Sequence, residues 1–144
     1  MDTQGRVEES EKKTLPKPNN IVTVPVTLDT DFFSWWCVFL RPFISLTNKE
    51  VQVIACLLKH RWQLSKCISD PVILDSVLMK GTTKKQIIEE CDITLQHYHV
   101  ILTSLRKHNV IIDNMINPRI IPNIRQDDNG YFQLLVLFKD IPKK

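Results

Sequence analysis

The sequence predicts an α+β fold, mainly α, and three observations carry that prediction. Residues 82–111 hold two helical patterns separated by one short turn. Ahead of them, a Thr-Asn-Lys-Glu capping box and an Asp-Pro pair open two further helices. Beyond Ile111 the apolar repeat changes from helical to the two-residue period of strands.

Residues 1–20 are polar, with Pro16 and Pro18 near their end. Such a segment cannot bury enough apolar surface to offset its ordering entropy, so it reads as an arm that is disordered unless a partner holds it. Residues 21–45 read as an extension made of a strand and an aromatic helix. In 21–28, Val22, Val24, Val26 and Leu28 alternate with polar residues, and Pro25 confines the strand to an edge. Asp29, Thr30 and Asp31 offer helix starts, and Pro42 is expected to end the helix. Between them Phe32, Trp35, Trp36 and Phe39 form one stripe, and Phe33, Cys37 and Leu40 a second. A helix apolar nearly all round is either plain core or a contact surface. Phe32, Trp35, Trp36 and Phe39 are the residues expected to touch another molecule or to add a layer over the domain.

Residues 46–138 form the predicted main domain, and 139–144 a basic tail. Thr47 and Glu50 open a long helix to about Lys66, with Val51, Ile54, Ala55, Leu58 and Trp62 on its main face. Asp70-Pro71 starts the next helix, and Gly81 is expected to stop it. Thr83 is the expected cap of the following helix, with Ile87, Ile88 and Cys91 on one face. Cys91-Asp92-Ile93 is the turn and Thr94 the next cap. Tyr98, Ile101, Leu102 and Leu105 then recur at helical spacing, and Asn109 tolerates the left-handed geometry that ends helices. Residues 110–116 read as one strand and 131–138 as another, the latter with Phe132, Leu134, Val136 and Phe138 on one face. Asp128-Asn129-Gly130 is a turn signal.

The stretch 82–111 resembles the helix-turn-helix of winged-helix proteins, the group that holds MarR-type regulators and plasmid or phage replication proteins. Residues 110–118, which end Met115-Ile116-Asn117-Pro118, resemble the first wing strand of the replication-protein branch. The resemblance covers residues 46–138 and implies a winged helix-turn-helix with the N-terminal strand and aromatic helix added. Asn109 stands where the family usually has glycine, and the exposed half of the second helix holds few basic residues.

A recognition helix presents its outer stripe to the major groove of double-stranded DNA. Here that stripe is Gln96, His99, Val100, Thr103 and Lys107, with Leu95 and His97 near the helix start. Glutamine pairs with adenine, and Val or Thr touches the thymine methyl. Lys84 and Lys85, at the start of the preceding helix, suit phosphates. Arg106, Arg119 and Arg125 are candidates for backbone or minor-groove contact. The bland alternative for each charge is a solvated surface.

Other chemistries find less in the sequence. His97 and His99 point about 200° apart on a helix, so they cannot share one metal ion. Cys56 and His60 share a face but lack two further ligands. The chain has 3 glycines and no phosphate-cradling loop, nucleophile elbow or zincin pair. No cofactor and no enzymatic activity are expected. The 4 cysteines have no paired spacing and read as reduced thiols. No apolar run is long enough to span a bilayer, and the polar N-terminus is no secretory signal. A cytoplasmic protein, or a virion component, is therefore expected. The abundance of Ile and Lys hints at the AT-rich genome of a phage or mobile element.

The net charge of +3 permits DNA binding without arguing for it strongly. Two functions are thus expected: a DNA-binding regulator of transcription or replication, or a winged-helix module that makes protein contacts in a phage particle or other large assembly. The partners are DNA in the first, and further copies or other proteins in the second.

Overall fold

The computed structural model describes residues 21–143, so the polar arm at 1–20 and Lys144 lie outside the described residues. Among the described residues, five helices come first, then a small hairpin and one 3-10 turn. Helix α1 spans Thr30–Ile44, and the Asp29 carboxylate accepts from the Asp31 amide at its start. It runs through Pro42 rather than stopping before it. The only bond a proline at 42 forfeits there is to the carbonyl of Val38, which lies on the solvent side where water can serve it. The helix ends instead at Ser45, whose φ of 63° is left-handed.

Helix α2, Asn48–Leu64, is the centre of the domain and packs against α1, α3, α4 and α5. Both halves of its capping box form, with the Thr47 hydroxyl accepting from the Glu50 amide and the Glu50 carboxylate from the Thr47 amide. Val53, Ala55 and Leu57 lose all solvent contact, as a helix packed on several sides requires. Helix α3, Pro71–Leu78, begins as expected, with Asp70 accepting from two first-turn amides. Helix α4, Gly81–Glu90, begins two residues before Thr83, and Lys80 caps it without a side-chain bond. Gly81 does not end α3; its φ of +59° swings the chain from one helix into the next.

Asp92, with φ of 53°, makes the turn out of α4. Thr94 then caps helix α5, Leu95–Lys107, through the His97 amide. Tyr98, Ile101, Leu102 and Leu105 are buried, and Asn109 closes the end at φ 60°. The one strand expected at 110–116 is in fact a hairpin. Strand β1 is Ile111–Ile112 and β2 is Met115–Ile116, antiparallel, with Ile111 opposite Ile116. Asp113 and Asn114 both take positive φ, 54° and 61°, the signature of a tight primed turn. A 3-10 turn at Pro118–Ile120 follows.

The strands expected at 21–28 and 131–138 do not form. Residues 21–27 carry no regular structure, and Val22, Val24 and Val26 are exposed. A strand needs a neighbour to pair with, and the hairpin, with two residues in each strand, offers only a very short edge. Residues 131–138 keep only the alternation, with Phe132 and Leu134 half-buried and Gln133 and Leu135 exposed.

Two buried carboxylates tie the elements together. Asp75 on α3 has no solvent exposure; it accepts from Arg61 Nε on α2 at 2.7 Å and from the Ile116 amide of β2 at 2.9 Å. Glu50 on α2 accepts from the Ser104 hydroxyl on α5. Burial pushes the Glu50 carboxyl up, but the bonds from Ser104 and Thr47 outweigh it and hold the group below its usual range.

The aromatic helix divides between interior and surface. Phe32, Phe33, Trp36 and Cys37 are buried, and Trp36 Nε1 donates to the Ile120 carbonyl at 2.7 Å. Phe32 and Trp36 are therefore core, not contact residues. Trp35 is exposed and Phe39 half-buried, and these keep a face free.

Candidate functional site

The outer face of α5 is built by helical spacing. The apolar residues at 98, 101, 102 and 105 turn inward, so the residues between them are turned out. Leu95, Gln96, His97, His99, Val100, Thr103, Arg106 and Lys107 are all exposed. Gln96, His99, Val100, Thr103 and Lys107 are linked by spacings of three and four, Val100 four after Gln96 and Thr103 four after His99, and make one strip. Within it the Thr103 hydroxyl donates to the His99 carbonyl at 3.0 Å, which leaves its lone pairs and methyl outward. The helix is fixed from behind by Ser104 on Glu50, and the turn that leads into it by Lys49 Nζ on the Cys91 carbonyl at 3.4 Å.

The other basic candidates sit on separate elements. Lys84 is half-buried and Lys85 exposed in the first turn of α4, where the helix dipole adds to their positive field. Arg119 is exposed on the 3-10 turn. That turn is held near the end of α5, because Asn117 Nδ2 donates to the Asn109 carbonyl at 2.8 Å. Arg125 is exposed on the irregular segment beyond. None of Lys84, Lys85, Arg106, Lys107, Arg119 and Arg125 forms an ion pair among the described residues. The face of α5 is thus one surface, and the remaining candidates flank it singly.

A second constellation was not legible as a unit. Glu90, at the end of α4, faces three residues of one α2 turn. It accepts from Lys59 Nζ at 2.7 Å and the Cys56 thiol at 3.1 Å, and pairs with His60 Nε2 at 3.0 Å. Burial works against its charge, but Lys59, Cys56 and His60 prevail and bring it to about 2. The neighbouring Cys91 and burial push the Cys56 thiol up, while Cys56 in turn lowers Cys91. The sequence signal was the Cys56–His60 spacing. Its partner came from 30 residues away, where Glu89 and Glu90 gave no sign of facing α2. Glu90 is used by the lysine and the imidazole, and no cluster fit to hold a metal ion exists among the described residues.

A cleft of about 390 Å³ opens beside this cluster, lined by His60, Gln63, Leu64, Thr83, Gln86, Glu89 and Glu90. It is shallow and polar, with little of the apolar wall that buries a small ligand. No described helix is long and apolar enough to cross a membrane. Comparison with protein-family models, with curated proteins and with solved structures finds no match to this chain.

Proposed function

We propose that the chain is a DNA-binding protein of the winged-helix type, acting in transcription or replication control of a phage or mobile element. The observation that carries this reading is the exposed strip Gln96, His99, Val100, Thr103 and Lys107 on a helix braced from behind. A helix of 13 residues with a free polar face matches what the major groove admits. In this reading α5 enters the groove, Lys84 and Lys85 hold phosphates, and the β1–β2 hairpin is a short wing with Arg119 beside it. Gln96 and His99 read base edges; Val100 and the Thr103 methyl meet thymine methyls.

A gel-shift titration against AT-rich duplex at two salt concentrations tests it. Lys85→Ala weakens binding to every sequence and flattens the plot of log affinity against log salt by about one unit. Gln96→Ala costs roughly 1–3 kcal/mol on the preferred site only. Failure of the wild type to retard any duplex at low salt overturns the reading.

A second reading, a winged-helix module for protein contacts in a virion or other large assembly, is favoured by a different observation. Trp35, Phe39 and Phe43 line the free side of α1, the first two rings stacked with centroids 5.8 Å apart and the last two edge-on at 6.3 Å. Exposed rings in such a row mark a protein-binding face more often than a nucleic-acid one when no basic residue is interleaved.

A further inference from the structure

Cys56 and Cys91 stand on opposite sides of the seam between α2 and α4, and both are buried free thiols. The Cys56 thiol donates to Glu90 Oε1 at 3.1 Å, and Glu90 is the residue before Cys91. From the other side, the Cys91 thiol lies 3.9 Å from the Gln52 carbonyl, about one helical turn ahead of Cys56 on α2. Each sulfur is thus held against a group that flanks the other, and the two are neighbours.

The two thiols are not equivalent. Cys56 first, and then Lys49 and Lys59, favour the thiolate of Cys91 against its burial and the charge of Glu90. The thiolate is the form that reacts. Glu90 touches Cys56 and also lines the cleft of about 390 Å³, so solvent comes to within one side chain of the sulfurs. That approach suits a solute the size of water and excludes a bulky reagent.

We infer that Cys56 and Cys91 are a site of reversible oxidation, at which a hydroperoxide joins them as a disulfide that clasps α2 to the end of α4. The Cys91 thiolate attacks one peroxide oxygen. The S–O bond forms, the O–O bond breaks, and the departing hydroxide takes up the proton that Cys91 released and leaves as water. The Cys56 sulfur then attacks the sulfenic sulfur of Cys91. The S–S bond forms, the S–O bond breaks, and the second hydroxide leaves as water with the Cys56 proton. Two sulfurs are oxidised and two oxygens reduced, and a dithiol reverses the change. The disulfide closes a loop of about 35 residues, which takes freedom from the unfolded chain and so favours the folded one. The inference does not rest on the DNA reading, since neither sulfur belongs to α5.

Mass spectrometry of the full chain, carrying Cys67→Ser to remove the exposed thiol, tests it. After hydrogen peroxide at neutral pH without denaturant, the expected product is a monomer lighter by two hydrogens, whose digest holds the peptide that joins Cys56 to Cys91. Its urea midpoint exceeds that of the reduced chain, and dithiothreitol restores both mass and midpoint. Adding Cys56→Ser or Cys91→Ser, each a change of one atom, abolishes the mass loss and the shift in midpoint; adding Cys37→Ser changes neither. A native chain that resists peroxide, cross-links only in urea, joins Cys37 instead, or unfolds at lower urea once oxidised overturns the site.

Discussion

Trp36 Nε1 donates to the carbonyl of Ile120 at 2.7 Å, across 84 residues of sequence. The bond is buried, and it fastens the first helix to the turn that follows the hairpin. An indole N–H and a carbonyl left facing each other in the interior without a bond would each carry the cost of an unmade hydrogen bond.

Trp36→Phe keeps most of the ring but removes the donor and leaves the Ile120 carbonyl unpaired. The expected loss is about 1–3 kcal/mol in urea unfolding. Because the ring's apolar contacts persist, sedimentation of the variant should match that of the wild type. A change in mass would move Trp36 from the core to an interface.

The pair Arg61–Asp75 gives a larger effect. Asp75→Ala strands a half-buried guanidinium and the Ile116 amide together, and removal of one partner of a buried pair costs about 3–5 kcal/mol. Urea titration checks it. A loss under about 1 kcal/mol would mean that water reaches Arg61 and the amide once the carboxylate is gone.

Acid should weaken the fold through Glu90 and Glu50. Both carboxyls are held lower in the folded chain than in the unfolded one, where a glutamate titrates near 4.3. Groups depressed in this way stabilise above the unfolded value and lose that contribution as protons bind to the folded form. For Glu90 the loss falls between about 4.3 and about 2. Urea midpoints measured across that range should decline for the wild type and decline less for Glu90→Gln. Identical slopes for the two would remove Glu90 from the account.

Thiol chemistry follows burial. Cys67 is exposed, while Cys37, Cys56 and Cys91 are buried. Burial pushes the Cys37 thiol up to about 12, so its thiolate is scarce at neutral pH. A chromogenic disulfide reagent should titrate Cys67 quickly in the native chain and the other three only on unfolding. Fast reaction of Cys56 or Cys91 would show that the α2–α4 contact opens readily.

Much of the helical frame was legible because a cap is local. Thr47, Asp70, Thr94 and Asn109 each act on amides or carbonyls within a few residues, and each does so at the position its neighbours imply. The outward face of α5 was legible for the same reason, as the complement of the periodic apolar residues. The strands were not. Residues 110–116 are almost all compatible with extended chain, and only the left-handed Asp113-Asn114 pair, read as strand interior, folds them back. The alternation at 21–28 and 131–138 is real, but pairing is a property of two segments and neither one states its partner. Glu90 escaped notice because its three partners lie on another helix, and Phe32 and Trp36 because a stripe of rings does not say which side is covered.

The double use of Asp75 bears on the order in which the chain folds and opens. Its carboxylate reaches α2 with one oxygen and, with the other, an amide 41 residues later. The bond to α2 spans 14 residues and that to the hairpin 41, so closure of the longer loop is expected to come later. Once made, the bond shuts the Ile116 amide away from solvent behind two helices. Its proton should therefore exchange with deuterium only when the whole domain opens, which makes Ile116 a reporter of global stability, while the amides of 132–143 exchange at the rate of free chain.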